Sequence, residues 1–263
     1  MLEVRSRPGR LLIQLLLTLM ALPFLFPLWV MVRVAISGQG ARTNFAAVLS
    51  QPLIGAFFRN SLILAAGSIA IAYSCTMLAS FALAKLRLPG REVYFYVILA
   101  GLTFPTVALT VPLFVSFEKV GLFNTYLAVF IPIAGLVLPF NVLLARGFIR
   151  ELPNELFEAA RVDGCGTTKT FWYLLLPLTR PLSAVIVVNT FLAALNEYLL
   201  PLLFLQQTDR QPLTLLPSFF ASEYGSDQTK IAASLIVIAL PTILVYIGAQ
   251  RFFERGFTGG SFK

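Results

Sequence analysis

Six apolar segments, each long enough to cross a lipid bilayer, constrain the fold of this chain more than any other feature. A helix needs about 20 residues to span the hydrocarbon core. The predicted spans are Leu11–Val32, Asn60–Ala84, Val93–Phe117, Tyr126–Ala145, Pro181–Leu205 and Ile231–Ala249. Runs such as Leu15–Leu17 are apolar on every side, whereas the strands of a membrane barrel alternate in polarity. We therefore predict an all-α transmembrane bundle of six helices.

The composition excludes an ordinary soluble protein and gives no sign of a nucleic-acid-binding one. Hydrophobic residues make up 58% of the chain and charged residues 12%, which is half of the roughly 25% charged residues of a soluble domain. The net charge of +8 then bears on membrane orientation, since no basic stripe interleaved with aromatic residues is present.

The lysines and arginines favour one side of the predicted membrane by more than two to one. The richer side holds the N-terminal arginines, Lys85 to Arg91, the segment between the fourth and fifth spans, and the C-terminal tail. Positive charge accumulates on the cytoplasmic side of membrane proteins. Both termini, and the segment between the fourth and fifth spans, are therefore predicted to be cytoplasmic.

The residues that most often carry catalysis or bind metal are scarce in this chain. It has no histidine, and its two cysteines, Cys75 and Cys165, lie in different predicted environments. It also lacks the glycine-rich loop followed by lysine that binds nucleotide phosphates. We predict no catalytic residue, no metal site and no cofactor bound by this chain.

A polar, acid-rich segment, Glu151–Gly164, separates the fourth and fifth spans. A proline near its start and a glycine at its end suit a short helix. Its acidic residues Glu151, Glu155 and Glu158 share one stripe, and Leu152, Leu156 and Ala160 form a second, with Ala159 beside it. This pattern predicts a helix that docks into a cleft of a cytoplasmic partner, with Glu158 meeting a basic residue there. The alternative is an amphipathic segment on the lipid headgroups, where an anionic leaflet would repel the acids.

The same segment resembles the "EAA" loop of ABC importer permeases. The resemblance rests on Glu158-Ala159-Ala160, on Gly164, and on Leu174, Leu176 and Pro177, with leucine at 174 where isoleucine is common. Three further segments resemble the carbohydrate-type permeases of the maltose and glycerol-3-phosphate class: Gly121–Tyr126, Asn196–Phe204 and the tail Gln250–Lys263. Leu195 stands where those permeases often have tryptophan.

The resemblance implies the type I ABC importer permease (MetI-like) fold, with residues 1–263 as a single transmembrane domain in a bacterial or archaeal cytoplasmic membrane. It also implies a homologous second permease, two ATPase subunits that carry ATP and Mg²⁺, and an external solute-binding protein. Residues 149–178 would form the coupling loop and residues 250–263 a tail that contacts the ATPase. The implied ATPase-coupling residues are Glu155, Leu156, Glu158, Ala159, Ala160, Asp163 and Gly164, and the implied tail contacts are Arg255, Gly259 and Gly260.

Polar residues at the interruption of the fifth span are the candidates for contact with substrate. Asn196, Glu197 and Tyr198 lie there, and Asn189 lies two turns earlier. An ionisable group at membrane depth suggests a functional site, although Glu197 pairing with a polar group on the partner permease is an alternative. Asn141 is expected to make a hydrogen bond between helices.

The function predicted from the resemblance is the permease subunit of an importer for a sugar or sugar derivative. An importer of another solute, such as glycerol-3-phosphate, a polyol, an amino acid or a peptide, is the first alternative. An ion-coupled carrier is the second, although such carriers usually show internal repeats and several intramembrane charges. A membrane enzyme is the third alternative, but the chain lacks the catalytic residues expected of such an enzyme.

Overall fold

The computed structural model describes residues 7–221 and 225–258, and every regular element among them is helical. The helices are α1 (Arg7–Ile36), α2 (Ala41–Leu49), α3 (Ile54–Lys85), α4 (Arg91–Ala100), α5 (Thr106–Lys119), α6 (Leu127–Glu151), α7 (Asn154–Val162), α8 (Thr167–Leu178), α9 (Arg180–Asn196), α10 (Leu199–Phe204) and α11 (Gln228–Thr258). Within α8, residues Thr170–Leu175 are wound as a π-helix. Short 3₁₀ turns lie at Gly101–Thr103, Thr208–Arg210 and Leu213–Phe220.

Within residues 7–221 and 225–258, four helical segments are long and apolar enough to cross a membrane without a break. They are Leu11–Ile36, Ile54–Lys85, Leu127–Glu151 and Gln228–Gly248. Two strongly bent helix pairs, Arg91–Thr103 with Thr106–Lys119 and Thr167–Leu178 with Arg180–Asn196, raise the number to six if each pair counts as one span. The all-α transmembrane fold predicted from the sequence is confirmed.

The third predicted span is not one continuous helix. Between α4 and α5, within the span predicted over Val93–Phe117, the chain turns by 101°. Phe104 adopts an extended conformation, with φ −80° and ψ 120°, because the ring of Pro105 disfavours helical geometry in the residue before it. A single proline at this position therefore divides the span.

The interruption predicted in the fifth span is present. Helix α9 ends at Asn196, and Glu197 has an extended backbone with ψ 123° before α10 begins at Leu199. At its other end α9 meets α8 at 81°. The fifth predicted segment, Pro181–Leu205, thus consists of α9, a two-residue break and the short α10.

The described chain divides into two compact units. The first comprises Met1–Ile54 and Leu216–Leu240. In it Asn44 is buried and donates hydrogen bonds to the carbonyls of Ala35 (2.8 Å) and Ser37 (2.9 Å). Asp227 caps α11 by accepting from the backbone amides of Thr229 and Lys230. Hydrogen bonds from the Lys230 ammonium, the Thr229 hydroxyl and the Lys230 amide hold the pKa of its carboxyl far below the usual range.

The second unit comprises Gly55–Leu215 and Pro241–Lys263 and contains two apolar clusters. One joins α3 and α6 to α10 through Leu64, Val129 and Phe204. Where α3 and α6 pack, a Cβ on Gly67 would lie 2.9 Å from the ring of Phe130, so glycine permits the close approach. The other cluster joins α3, α6 and α9 to the segment between α6 and α9.

Side-chain amides, one buried and one half-buried, join α6 to α9 within their apolar segments. Asn189 donates to the Asn141 side-chain oxygen (2.9 Å), and Asn141 donates to the Thr190 hydroxyl (3.2 Å). The hydrogen bond between helices expected of Asn141 is therefore present. Such bonds satisfy polar groups that would otherwise face hydrocarbon.

Asn60, fully buried near the start of α3, holds two other segments of the second unit. Its amide nitrogen donates to the carbonyls of Asp209 (2.7 Å) and Gln211 (2.9 Å), and its oxygen accepts from the Tyr126 hydroxyl (2.8 Å). This side chain fixes the irregular segment after α10 against α3 and the start of α6.

We expect Asn60→Ala to lower the free energy of unfolding by about 3 kcal/mol, because it removes three part-buried hydrogen bonds that contribute about 1 kcal/mol each. Thermal unfolding of the detergent-solubilised chain measures the effect. The control is Asn196→Ala, which removes an exposed amide bonded to the backbone of its own helix. Equal unfolding midpoints for the two variants would show that the Asn60 contacts contribute nothing specific.

Candidate protein-docking site

Helix α7 follows α6 after a link of two residues, Leu152 and Pro153. Pro153 occupies the N-cap with φ −55° and ψ 131°, a conformation that ends one helix and admits the next. Glu155 lies in the first turn and Arg161 in the last, and both charges complement the dipole of the helix. The sequence therefore specifies a short independent helix rather than an extension of α6.

One aromatic side chain anchors α7 to the membrane helices. Phe157 is 4% exposed and packs in the second apolar cluster. Its ring centroid lies 6.4 Å from that of Phe81 on α3, and Phe81 in turn contacts Phe171 on α8 at 5.7 Å. The anchoring role of Phe157 was not predicted from the sequence. A single aromatic residue in a short, charged helix is a sequence signal that could have indicated it.

Lys85, the last residue of α3, holds the link between α6 and α7. Its ammonium donates to the carbonyl of Leu152 (2.7 Å) and to the side-chain oxygen of Asn154 (2.8 Å). The same ammonium lies 4.8 Å from the centroid of the Phe157 ring, within the range of a cation–π interaction. Helix α7 is thus attached to α3 by both an apolar and a polar contact.

Helix α7 ends in a Schellman motif built on Gly164. The Cys165 amide donates to the Ala160 carbonyl (2.8 Å) and the Gly164 amide to the Arg161 carbonyl (3.0 Å). Gly164 has φ +77°, a left-handed conformation that costs other residues energy because of their Cβ atom. The predicted end of the helix at Gly164 is confirmed.

We expect Gly164→Ala to destabilise this helix end by about 1 kcal/mol, purely through backbone strain, since no atom lies within 4 Å of the added Cβ. Limited proteolysis of the segment between α7 and α8 measures the local opening. Gly166→Ala is the matched control, because Gly166 has φ −69° and equally open surroundings. Equal cleavage rates for the two variants would contradict the assigned role of Gly164.

The outer face of α7 is available to a partner. Glu155, Glu158, Ala159, Asp163 and Gly164 are exposed, and Val162 is 88% exposed. Among the described residues Glu158 makes no ion pair. The exposed face combines carboxylates with small and apolar side chains, which suits contact with a protein surface that carries a basic group.

The apolar stripe predicted over Leu152, Leu156 and Ala160 does not form one exposed surface. Leu152 packs with Phe157 in the apolar cluster, and Ala160 is half-buried. Leu156 alone of the three is exposed. The stripe is divided because Leu152 lies before α7 in the extended link, where helical spacing does not apply.

At the break in the fifth span, Glu197 has a structural partner. One carboxylate oxygen accepts from the Leu200 amide (3.0 Å) and so caps α10, and its carbonyl accepts from the Thr214 hydroxyl (2.9 Å). Asn196 and Tyr198 on either side of it are exposed. The break therefore presents an amide and a phenol together, whereas Asn189 is occupied by Asn141.

The predicted ATPase-contacting tail continues α11 as far as Thr258, but the side chains predicted to make the contact lie outside the described part of the structure. Gly259 and Gly260 follow the last described position, and Arg255 lies in the part of α11 whose side chains are not described.

Residues 75–259 match the family described as "Binding-protein-dependent transport system inner membrane component". The diacetylchitobiose uptake system permease protein NgcG of Streptomyces coelicolor is 32% identical over 84% of this chain and 74% of its own length. The lactose transport system permease protein LacG of Rhizobium radiobacter is 32% identical over 84% of this chain and 81% of its own length. The trehalose/maltose transport system permease protein MalG of Thermococcus litoralis is 28% identical over 84% of this chain and 80% of its own length.

The fold is also found among solved structures. A chain of a bacterial ABC transporter that imports the acidic polysaccharide alginate matches with a TM-score of 0.80 at 22% identity. That match covers 95% of this chain and 99% of the other. A second structure of a bacterial alginate transporter, in complex with an alginate-bound periplasmic protein, matches with a TM-score of 0.73 at 17% identity over 95% of both chains.

Proposed function

Because this chain belongs to the family of binding-protein-dependent transport inner membrane components, we propose that it is the permease subunit of an ATP-driven importer for a sugar or sugar derivative. Relatives at 32% identity are permeases for diacetylchitobiose and lactose, which supports a carbohydrate cargo. The observation that carries the proposal is the exposed, acid-bearing helix α7, fastened to α3 through Phe157 and Lys85.

The proposed complex contains this chain, a homologous second permease, two ATPase subunits and an external solute-binding protein. This chain lies in a bacterial or archaeal cytoplasmic membrane, with both termini and α7 in the cytoplasm. ATP and Mg²⁺ bind the ATPase subunits, and their energy reaches the permease only through protein contacts. A solved alginate transporter of the same fold is in complex with its periplasmic binding protein, which supports the external partner.

In this proposal α7 transmits movement from the ATPase to the membrane helices. ATP binding closes the ATPase pair, and α7 moves with the subunit that holds its exposed face. Since Phe157 and Lys85 join α7 to the end of α3, the displacement is passed to the bundle. Two arrangements of the bundle then exchange, because the nucleotide-bound ATPase favours one of them over the other.

The break at Asn196–Tyr198 is the proposed contribution of this chain to the translocation path. The Asn196 side-chain nitrogen donates to the carbonyl of Leu192 (2.8 Å), and its side-chain oxygen has no hydrogen-bond partner within the described part of the chain. The Tyr198 ring is 45% exposed, and aromatic rings cover the apolar faces of sugars. Glu197 contributes by capping α10 and so holding its two neighbours in place.

Two measurements test the proposed function. Affinity purification of this chain from its native membranes in mild detergent is expected to recover an ATPase, a second permease and a binding protein. Uptake of the sugar that the recovered binding protein retains should persist when an uncoupler removes the proton gradient, as long as ATP remains. Uptake that stops with the gradient, and a chain recovered without an ATPase in several detergents, would overturn the proposal in favour of an ion-coupled carrier.

A further inference from the structure

A cleft beside α7 is lined chiefly by cationic side chains. Its volume is about 390 Å³. The lining residues are Ala84, Lys85, Arg87, Arg91, Arg150, Asn154, Phe157, Glu158 and Arg161. Five of these are cations and one is a carboxylate, so the lining carries a large positive excess.

The nearby acids leave much of this charge uncompensated. Glu92 is bound to the buried Arg146 and to Arg91 and also attracts Arg150. Glu155 attracts Lys85, and Glu158 is the one carboxylate of the lining. Arg87, Arg150 and Arg161 make no ion pair among the described residues. Guanidinium groups that converge without a counter-charge repel one another, and an anion between them relieves that repulsion.

The cleft lies where three membrane segments end. Lys85 is the last residue of the span Ile54–Lys85, Arg150 is the penultimate residue of Leu127–Glu151, and Arg91 is the first of the bent pair beginning Arg91–Thr103. The ends of hydrophobic helices lie at the depth of the lipid headgroups. Basic pockets between such helices on the cytoplasmic side suit phosphate-bearing headgroups.

The first turns of α4 extend from the cleft with an exposed apolar surface. Val93 and Val97 are 65% and 66% exposed, and Tyr94 is 59% exposed. These side chains begin two residues after the cleft residue Arg91, so acyl chains can cover them while a headgroup occupies the cleft. A soluble phosphate would leave this apolar surface uncovered, so the surface favours a lipid as the occupant of the cleft.

We propose that this cleft binds the headgroup of an anionic phospholipid, with Arg87, Arg150 and Arg161 donating to its phosphate oxygens. Arginine suits the role because its planar fork matches two phosphate oxygens at once. Since Arg161 belongs to α7 and Arg150 to α6, a bound headgroup connects the docking helix to the end of a span. The site is independent of the cargo, so it stands or falls separately from the proposed function.

Native mass spectrometry of the purified full-length chain, titrated with phosphatidylglycerol or phosphatidylcholine in mild detergent, tests the site. We expect retention of phosphatidylglycerol over phosphatidylcholine, and about a thirtyfold loss of that retention in Arg87→Gln/Arg150→Gln, since two cations leave the site. The control is Arg59→Gln/Lys119→Gln, which removes the same charge from exposed positions outside the cleft lining. Arg59 lies 26 residues before Lys85 along α3, about 39 Å by helical rise.

The possible outcomes distinguish a lipid site from diffuse attraction and from a site for a soluble anion. An equal loss of retention in both double variants would show diffuse attraction and overturn the site. Unchanged retention in the cleft variant would also overturn it. Competition by inorganic phosphate at the concentration that suffices for phosphatidylglycerol would assign the cleft to a soluble anion and overturn the lipid. The single variant Arg87→Gln, in an exposed connection, provides the same comparison if the double variant does not fold.

Discussion

Replacing Phe157 with alanine is expected to reduce uptake to background while the chain still reaches the membrane. The substitution removes a 4%-exposed ring from between α3 and α7, and truncations of this kind cost about 3–5 kcal/mol. Helix α7 itself buries no other side chain as deeply, so the loss falls on its attachment. In the proposed complex, movement of a bound ATPase would then shift α7 without displacing the spans.

Uptake by whole cells, together with ATPase activity of the purified complex, measures this effect. The matched control is Val162→Ala, a truncation on the same helix at a side chain that is 88% exposed, which should retain most of the uptake. Phe157→Leu should recover part of the activity because it refills part of the volume. Normal uptake by Phe157→Ala at normal membrane levels would exclude an anchoring role.

The second large effect is expected from Glu158→Ala. Uptake should fall by about tenfold or more, since removing one partner of a charge pair desolvated at an interface costs about 2–5 kcal/mol. The unfolding midpoint should stay near that of the unaltered chain, because Glu158 is exposed and makes no ion pair among the described residues. Hydrolysis by the complex should therefore continue while transport does not follow.

The readout is the ratio of substrate transported to ATP hydrolysed in reconstituted vesicles. Glu118→Ala, which removes an exposed glutamate from α5, serves as the control and should leave that ratio unchanged. The variants at positions 157 and 158 differ in a further respect: Phe157→Ala should loosen α7 to proteases, whereas Glu158→Ala should not. A Glu158→Ala variant that transports at the normal ratio would remove this residue from the coupling contact.

Much of the fold was predictable because the bilayer permits so few solutions. Long uncharged runs specified the helices, and the family predicted from the Glu158-to-Pro177 pattern is confirmed by the match over residues 75–259. The end of α7 was predictable for a local reason, since Gly164 is a common helix terminator. The interruption of the fifth span at Asn196–Glu197 was equally visible, because a charged residue stands inside an apolar run.

The remaining features depend on contacts between residues distant in the chain. Nothing local distinguishes Pro105, where the membrane segment bends by 101°, from Pro132, which lies inside the continuous helix α6. The anchoring of Phe157 requires Phe81, which lies 76 residues earlier, to meet it. The role of Glu197 as a cap for α10 likewise required knowing that α10 begins two residues later as a separate helix.

The link of two residues between α6 and α7 makes this region intolerant of changes in length. An α-helix turns by about 100° per residue, so one residue added or removed inside α7, between Phe157 and its capped end, would rotate the outer face away from its partner. A residue added or removed before Asn154 would instead separate the Leu152 carbonyl from the Asn154 side chain. The Lys85 ammonium donates hydrogen bonds to both of these groups. Surface connections usually tolerate insertions, but the link between α6 and α7 behaves as a spacer of fixed length. Substitutions in this link should therefore be tolerated far better than insertions or deletions.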